Sequence, residues 1–430
     1  MRPTTRIFIC GLLAATALSG LPRDAAATIG MNPICYGTDN CGMGGAGIAL
    51  GGNTAGAILN PALSGRAGKE LLISAGWLHA NVTGQVKGGG AVAAAGGAVV
   101  ANNQGSPQDS DATDFPDGTV ALNWKFNDAW AGNFSIFPGG GGATDWPQAR
   151  TAANFSGNGS HDTQIRTRYF FFEPSVSYTP PQDKTWSFGL GAVVSYQDMK
   201  TNSLGKSFGQ LAAADKQVTD SSMGIGFHVG AFWQPDPILS IGATYRSRVW
   251  SEAYEHYRSK NGGKQIFQGP MDMPATWGVG MAVKPPPVPK LTLAGDLKYI
   301  EWQKVTGIGG KEPADGGFGW NNQFVFAVGA AYDVTDKLTG RIGYTYGKSP
   351  IDAGHMFANF LFPAISEHHI TAGASYKLTP TWELGASAFW SPENTVTNNP
   401  AVNELYAQAG GTTTVSMEQY GGQVSAKMKF

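Results

Sequence analysis

The stretch Trp186-Ser187-Phe188-Gly189-Leu190-Gly191-Ala192-Val193-Val194-Ser195-Tyr196-Gln197 decides the fold. Its even positions read Trp, Phe, Leu, Ala, Val and Tyr; its odd positions read Ser, Gly, Gly, Val, Ser and Gln. Successive side chains of a strand point to opposite faces, so one face is apolar with aromatics at both ends and the other is small or polar. The pattern returns at Met223, Ile225, Phe227, Val229, Ala231 and Trp233, and again in Leu338 to Tyr346, Ile370 to Leu378 and Tyr420 to Phe430. A soluble sandwich buries such faces against each other, whereas a membrane barrel turns them to lipid. Aromatic strand ends favour lipid, because Trp and Tyr settle at the interface.

Working outward, fourteen segments of this kind are predicted: 70–83, 117–126, 128–137, 164–179, 184–198, 221–234, 238–254, 267–284, 290–302, 322–333, 337–347, 365–378, 381–395 and 414–430. Six connections are short, at Asn127, Pro180 to Asp183, Pro235 to Pro237, Pro285 to Pro289, Val334 to Asp336 and Thr379 to Pro380. They alternate with seven longer loops, the largest at 84–116, 138–163 and 199–220. An even strand count, alternating short and long connections and both termini on the short side are the requirements of an outer-membrane barrel. The fold expected is all-β, a 14-stranded antiparallel transmembrane β-barrel, ending on the aromatic Phe430.

Composition agrees. Charged residues make up 14% of the 430 residues, against about 25% in soluble domains, and Gly numbers 60. A 42% hydrophobic content with 12 Trp argues against disorder, and a net charge of −1 argues against a nucleic-acid partner. Arg2 and Arg6, the apolar Ile7 to Leu21 and Ala25-Ala26-Ala27 have the order of a secretory signal, assigned to 1–27. No apolar run long enough for a helical span follows. Cys10 falls within the signal, which leaves Cys35 and Cys41 in an exported chain; this reads as a disulfide, a metal site lacking further ligands nearby. Gly42, Gly44 and Gly47 match G-x-G-x-x-G, but no strand precedes them and no βαβ unit follows.

A fourteen-stranded barrel is wide enough to leak unless filled. Residues 28–68, rich in Gly and Ala, are expected to fold into the lumen as a plug ahead of a barrel at 69–430. Parity puts Phe171, Val193, Phe232 and Phe389 among small lumen-facing residues, which would leave room for an apolar ligand. Inward charges are few: Arg246, Arg248, Lys298 with Asp296, Arg341, His369 and Glu383. Arg246 and Arg248 share a face and could receive a carboxylate, although barrel Arg more often pairs with acidic groups in the lumen or with lipopolysaccharide; Lys298 and Asp296 read as an internal ion pair. His368 and His369 point to opposite faces and share no metal. Leu204, Phe208 and Leu211 follow helical spacing in an outer loop and suggest an apolar groove above the barrel. His79, His161 and His228 could serve a barrel lipase, but no G-x-S-x-G accompanies them, so neither an enzyme nor a cofactor is expected.

The stretches CGMGGAGIALGGNTAGAILNPA at 41–62, NFSIFPGGGGATDWP at 133–147, GATYRSRVW at 242–250, RIGYTYGKSPI from 341 and PAISEHHITAGASYKL up to 378 resemble the FadL (OmpP1/FadL/TodX) family. The resemblance implies a barrel with an N-terminal hatch that takes up long-chain fatty acids or aromatic hydrocarbons. It places the hatch tripeptide on Asn60, Pro61 and Ala62. It also puts a kink in the third strand, where ligand leaves sideways, at Gly132, Asn133, Phe134, Ser135 and Phe137. The expected function is passive uptake of a hydrophobic compound, foremost a long-chain fatty acid. Capture by loops, binding in the lumen, hatch movement and lateral release follow in order. Alternatives are alkane or arene uptake, or a general porin. Expected partners are the ligand, outer-membrane lipid and lipopolysaccharide, with the protein a monomer.

Overall fold

The computed structural model describes residues 29–88, 91–94, 97–100, 107–146, 163–201, 218–254, 271–309, 318–356, 358–398 and 411–430. The expected signal and the Leu204, Phe208 and Leu211 groove lie outside the described residues.

Fourteen antiparallel strands run β1 (Glu70–Gly88), β2 (Asp114–Lys125), β3 (Trp130–Trp146), β4 (Thr163–Tyr178), β5 (Trp186–Thr201), β6 (Val218–Trp233), β7 (Leu239–Arg246), β8 (Thr276–Val283), β9 (Leu291–Ile300), β10 (Gln323–Asp333), β11 (Leu338–Gly347), β12 (His368–Lys377), β13 (Trp382–Thr397) and β14 (Gly411–Lys429). Each pairs with its sequence neighbours. β14 pairs with β1 from Glu70↔Lys429 to Gly88↔Gly411, which closes the barrel. Two short pieces extend the wall: Gln108–Asp109 against the outer end of β1, and Trp250–Ser251 against β6.

Alternation decides which way each side chain points. On β5 and β6, Phe188, Leu190, Met223 and Ile225 face outward, Ile225 being 64% exposed, while Val193, Ser195 and Gln197 are fully buried. The short-turn rim carries paired aromatics, Trp186 stacked with Trp233 and Trp130 tilted against Tyr178, as in the interfacial belt of a membrane barrel.

Several strand ends differ from the pattern reading. β1 and β3 continue to Gly88 and Trp146, well into the expected loops. The segment expected as one strand over 238–254 breaks after Arg246, where Ser247 Oγ accepts from the Phe227 amide, and resumes at Trp250. β8 starts at Thr276 instead of 267, and β9 gives way at its outer end to a 3-10 turn, Trp302–Lys304.

Residues 29–66 lie inside the barrel as an inner segment. It contains α1 (Gly37–Gly42), α2 (Gly56–Leu59) and a 3-10 turn, Pro61–Arg66. Cys35 and Cys41 are joined, which staples the approach to α1. Ile29, Met31, Ile48, Ile58 and Leu63 are buried against the wall or each other. Above it, Trp302, Phe318, Trp320, Phe360 and Leu361 from the outer connections form a buried apolar cap, with Trp146 stacked on Phe360.

The lumen-facing glycines receive this segment. A Cβ at Gly189 would overlap the Pro61-Ala62 backbone, one at Gly230 the Asn60 side chain, and one at Gly343 the Met43-Gly44 backbone. Glycine therefore admits close backbone approach. In the inner half of the barrel it houses protein, which corrects the expectation that these positions keep space for a ligand.

Candidate functional site

Side chains of the wall hold the inner segment by its main chain. Asn60 is buried and donates through Nδ2 to Ile48 O and to Ala231 O of β6, each at 3.0 Å. Its Oδ1 accepts from the Ala62 amide at 3.1 Å, while Ser187 of β5 donates to Ala62 O at 2.8 Å. Pro61 lacks an N–H and so opens the 3-10 turn at no hydrogen-bond cost. The Asn60-Pro61-Ala62 stretch is thus an attachment point on β5 and β6. At the opposite wall, the Gly44 amide donates to Thr371 Oγ1 at 2.9 Å.

Asp296 of β9 accepts from the amides of Gly47 and Ile48 at 2.8 and 3.1 Å, and Lys298 donates to Gly45 O at 3.3 Å. Asp296 and Lys298 thus also hook the inner segment by its main chain, which parity could not reveal, because it reports a shared face and not what stands opposite it. Near the periplasmic end, Asp39 meets Arg341 at 3.1 Å and also Lys427, which pairs with Glu383 at 2.7 Å. Burial alone would raise the Asp39 carboxyl; Lys427 and Arg341 outweigh it and hold the group below the usual carboxylate range.

A cavity of about 80 Å³ lies between the inner segment and the wall of β7 to β9. Ile29, Ile34, Ile48, Ile58, Phe171, Met273 and Ile300 make it apolar; Arg246, Lys298, Thr244 and His228 are its polar members. Arg246 donates to Glu173 at 3.1 Å and to Ile58 O at 2.6 Å, and stands over the rings of Phe137 and Phe171. His228 bridges Glu173 at 2.6 Å and Thr244 at 2.7 Å.

Of the residues expected to bind ligand, Phe171 and Arg246 line this cavity. Phe232 and Arg341 instead border a polar vestibule of about 430 Å³ beneath the inner segment. Val193 and His369 are fully buried and border neither space, and Phe389 packs on the main core. Arg248 does not act with Arg246: the strand break separates them, and Arg248 pairs with Asp272. Glu173, His228 and Lys298 complete the polar wall. Glu173 shares parity with Phe171, and His228 with Phe232; alternation alone would have found them.

The wall itself separates at β3. Residues 131–136 pair with β2, but beyond them β3 pairs only with β4, while Asp114 to Thr119 of β2 pair only with β1. A register shift between Pro138 and Gly140 turns the strand, with Gly140 and Gly141 at φ of 150° and 153°, values that favour glycine. Gly132, Asn133, Phe134 and Ser135 lie before it in a regular ladder and Phe137 at its edge, so the irregularity sits further along than the sequence resemblance places it. The Gly141 amide donates to Met31 O at 2.9 Å, which seats the inner segment on the turn. A second apolar cavity, about 30 Å³, lies here between Met31, Val82, Phe115, Ala143 and Phe362.

A closed fourteen-stranded barrel with an apolar outer face, aromatic rim and occupied lumen defines an outer-membrane transport protein. The family model described as outer membrane protein transport protein (OMPP1/FadL/TodX) matches residues 26–430, and the chain belongs to that family. It is 25% identical over 205 residues to the 47 kDa outer membrane protein of Pasteurella multocida strain Pm70, covering 41% of this chain and 46% of that one. It is 22% identical over 232 residues to the long-chain fatty acid transport protein of Salmonella typhi, covering 45% and 52%. The chain thus spans about half the length of these curated relatives. Similar solved structures are the Pseudomonas putida toluene transporter TodX, with TM-score 0.64, 16% identity and 92% and 99% coverage, and a Pseudomonas aeruginosa FadL homologue, with TM-score 0.64, 18% identity and 94% and 100% coverage.

Proposed function

We propose that the protein is a passive uptake channel for apolar compounds carrying one anionic group, long-chain fatty acids foremost. The observation that carries this reading is the cavity: apolar on most sides, with Arg246 and Lys298 both at its wall. Charge-assisted bonds to a carboxylate suit those cations, and the aliphatic lining suits a chain. A general porin instead lines an open constriction with charge, whereas this lumen is filled. An arene needs no cation, so the alkane and arene alternatives leave Arg246 and Lys298 without a role toward ligand.

In this reading residues 29–66 act as a hatch. At about 80 Å³ the cavity is far below the 300–1,000 Å³ of a typical ligand pocket, so housing a long chain requires the hatch to move. Release runs sideways through the separation between β2 and β3, where the apolar cavity at Met31 and Phe115 leads. Capture by the outer loops precedes it, and the barrel works as a monomer without cofactor or catalysis. Calorimetry with oleate, toluene and hexadecane tests the choice. Oleate binding that weakens at least about tenfold in Lys298→Met supports the fatty-acid reading; toluene or hexadecane binding by the wild type with no measurable oleate binding, or oleate binding unchanged in Lys298→Met, overturns it.

A further inference from the structure

Both cations of the cavity are already engaged by main-chain carbonyls of the inner segment: Arg246 donates to Ile58 O and Lys298 to Gly45 O. We propose that Arg246 is a latch which an anionic head group undoes and a neutral one does not. The inference rests on the uptake reading above and adds how binding is transmitted.

A guanidinium presents its donors in one plane and bonds a carboxylate more strongly than a neutral carbonyl. Nη2 of Arg246 serves both Ile58 O and Glu173, while its Nε is buried without a partner among the described residues. A head group that takes the Nε–Nη2 edge of the guanidinium in two parallel bonds therefore displaces Ile58 O. Glu173 is not stranded by the exchange, because His228 remains 2.6 Å away on its other oxygen. The hatch loses its hold where α2 runs into Asn60, the residue that fastens it to β6. Lys298 repeats the arrangement at Gly45. An ester or arene of the same shape fills the cavity but leaves both carbonyls bonded. Selectivity then lies in the coupling between occupancy and hatch movement, beyond affinity alone.

Amide hydrogen exchange on the full-length protein, with oleate and methyl oleate as probes, tests this. Oleate is expected to speed exchange of residues 56–63 about tenfold, and methyl oleate less than about twofold at matched occupancy. In Arg246→Gln those amides exchange fast without ligand and oleate adds nothing. The Gly44 amide, held at Thr371, stays protected throughout. Oleate that binds without speeding exchange, or methyl oleate that speeds it equally, overturns the latch while leaving uptake standing. Failure of both probes to bind overturns the uptake reading and the latch with it. Should Arg246→Gln not fold, the comparison of the two probes on the wild type decides.

Discussion

At the scale of single residues, Asp39 fixes α1 to the wall through Arg341 and Lys427. A carboxyl held below its unfolded value of about 3.9 stabilises fully above that value and loses its contribution as pH falls through the folded one. Attachment of α1 is therefore constant from neutral pH down to about 4 and weakens only in stronger acid. Asp39→Asn is expected to loosen α1 by about 2 kcal/mol at pH 7 and to abolish the acid dependence, read as ion conductance of the reconstituted barrel against pH. Cys35→Ser with Cys41→Ser should destabilise the hatch by about 2 kcal/mol, since the bridge closes a short loop; exchange of the α1 amides checks it. Sequence made Arg341, Arg246 and Phe171 legible as lumen-facing, because parity is local information. Which partner each meets was not: Asp39, Glu173 and Ile58 lie on other elements, and no spacing along one strand reports what faces it across a barrel.

At the scale of elements, β3 carries the most consequence. Its turn depends on one extra residue, Gly139, between positions paired with β4. Deleting Gly139 is expected to restore a continuous ladder, close the separation from β2 and cut fatty-acid uptake by about tenfold or more while leaving binding in place; uptake assays beside calorimetry check both. Gly230→Leu should act on the hatch instead, because a side chain there displaces Asn60. The expected outcome is a steady ion leak without ligand, and unchanged conductance would show that the wall tolerates it. Strand count and facing were legible from Trp186 to Gln197 and its relatives since lipid enforces period two. The ends of β7 and β9 were not, because Ser247 and Trp302 leave the ladder to satisfy tertiary contacts that alternation does not encode.

At the scale of the molecule, the proposed function requires the inner segment to keep this barrel from being an open pore. Removing residues 29–66 is expected to produce ohmic conductance in planar bilayers at every voltage; a silent barrel would place closure in the outer cap of Trp302, Trp320 and Phe360. Composition and position led to the expectation of a plug over 28–68; the path that residues 29–66 take was not legible, being set by hydrogen bonds to Ser187, Thr371 and Asp296 and by Asn60. The seam between β14 and β1 brings the last and first strands together, and the Phe430 amide bonds Lys69 O beside it. A segment that precedes β1 and touches strands from β1 to β14 has no complete wall to pack on until that seam has zipped. Closing the ladder and seating the segment are thus one cooperative event, in which each supplies surface that the other lacks.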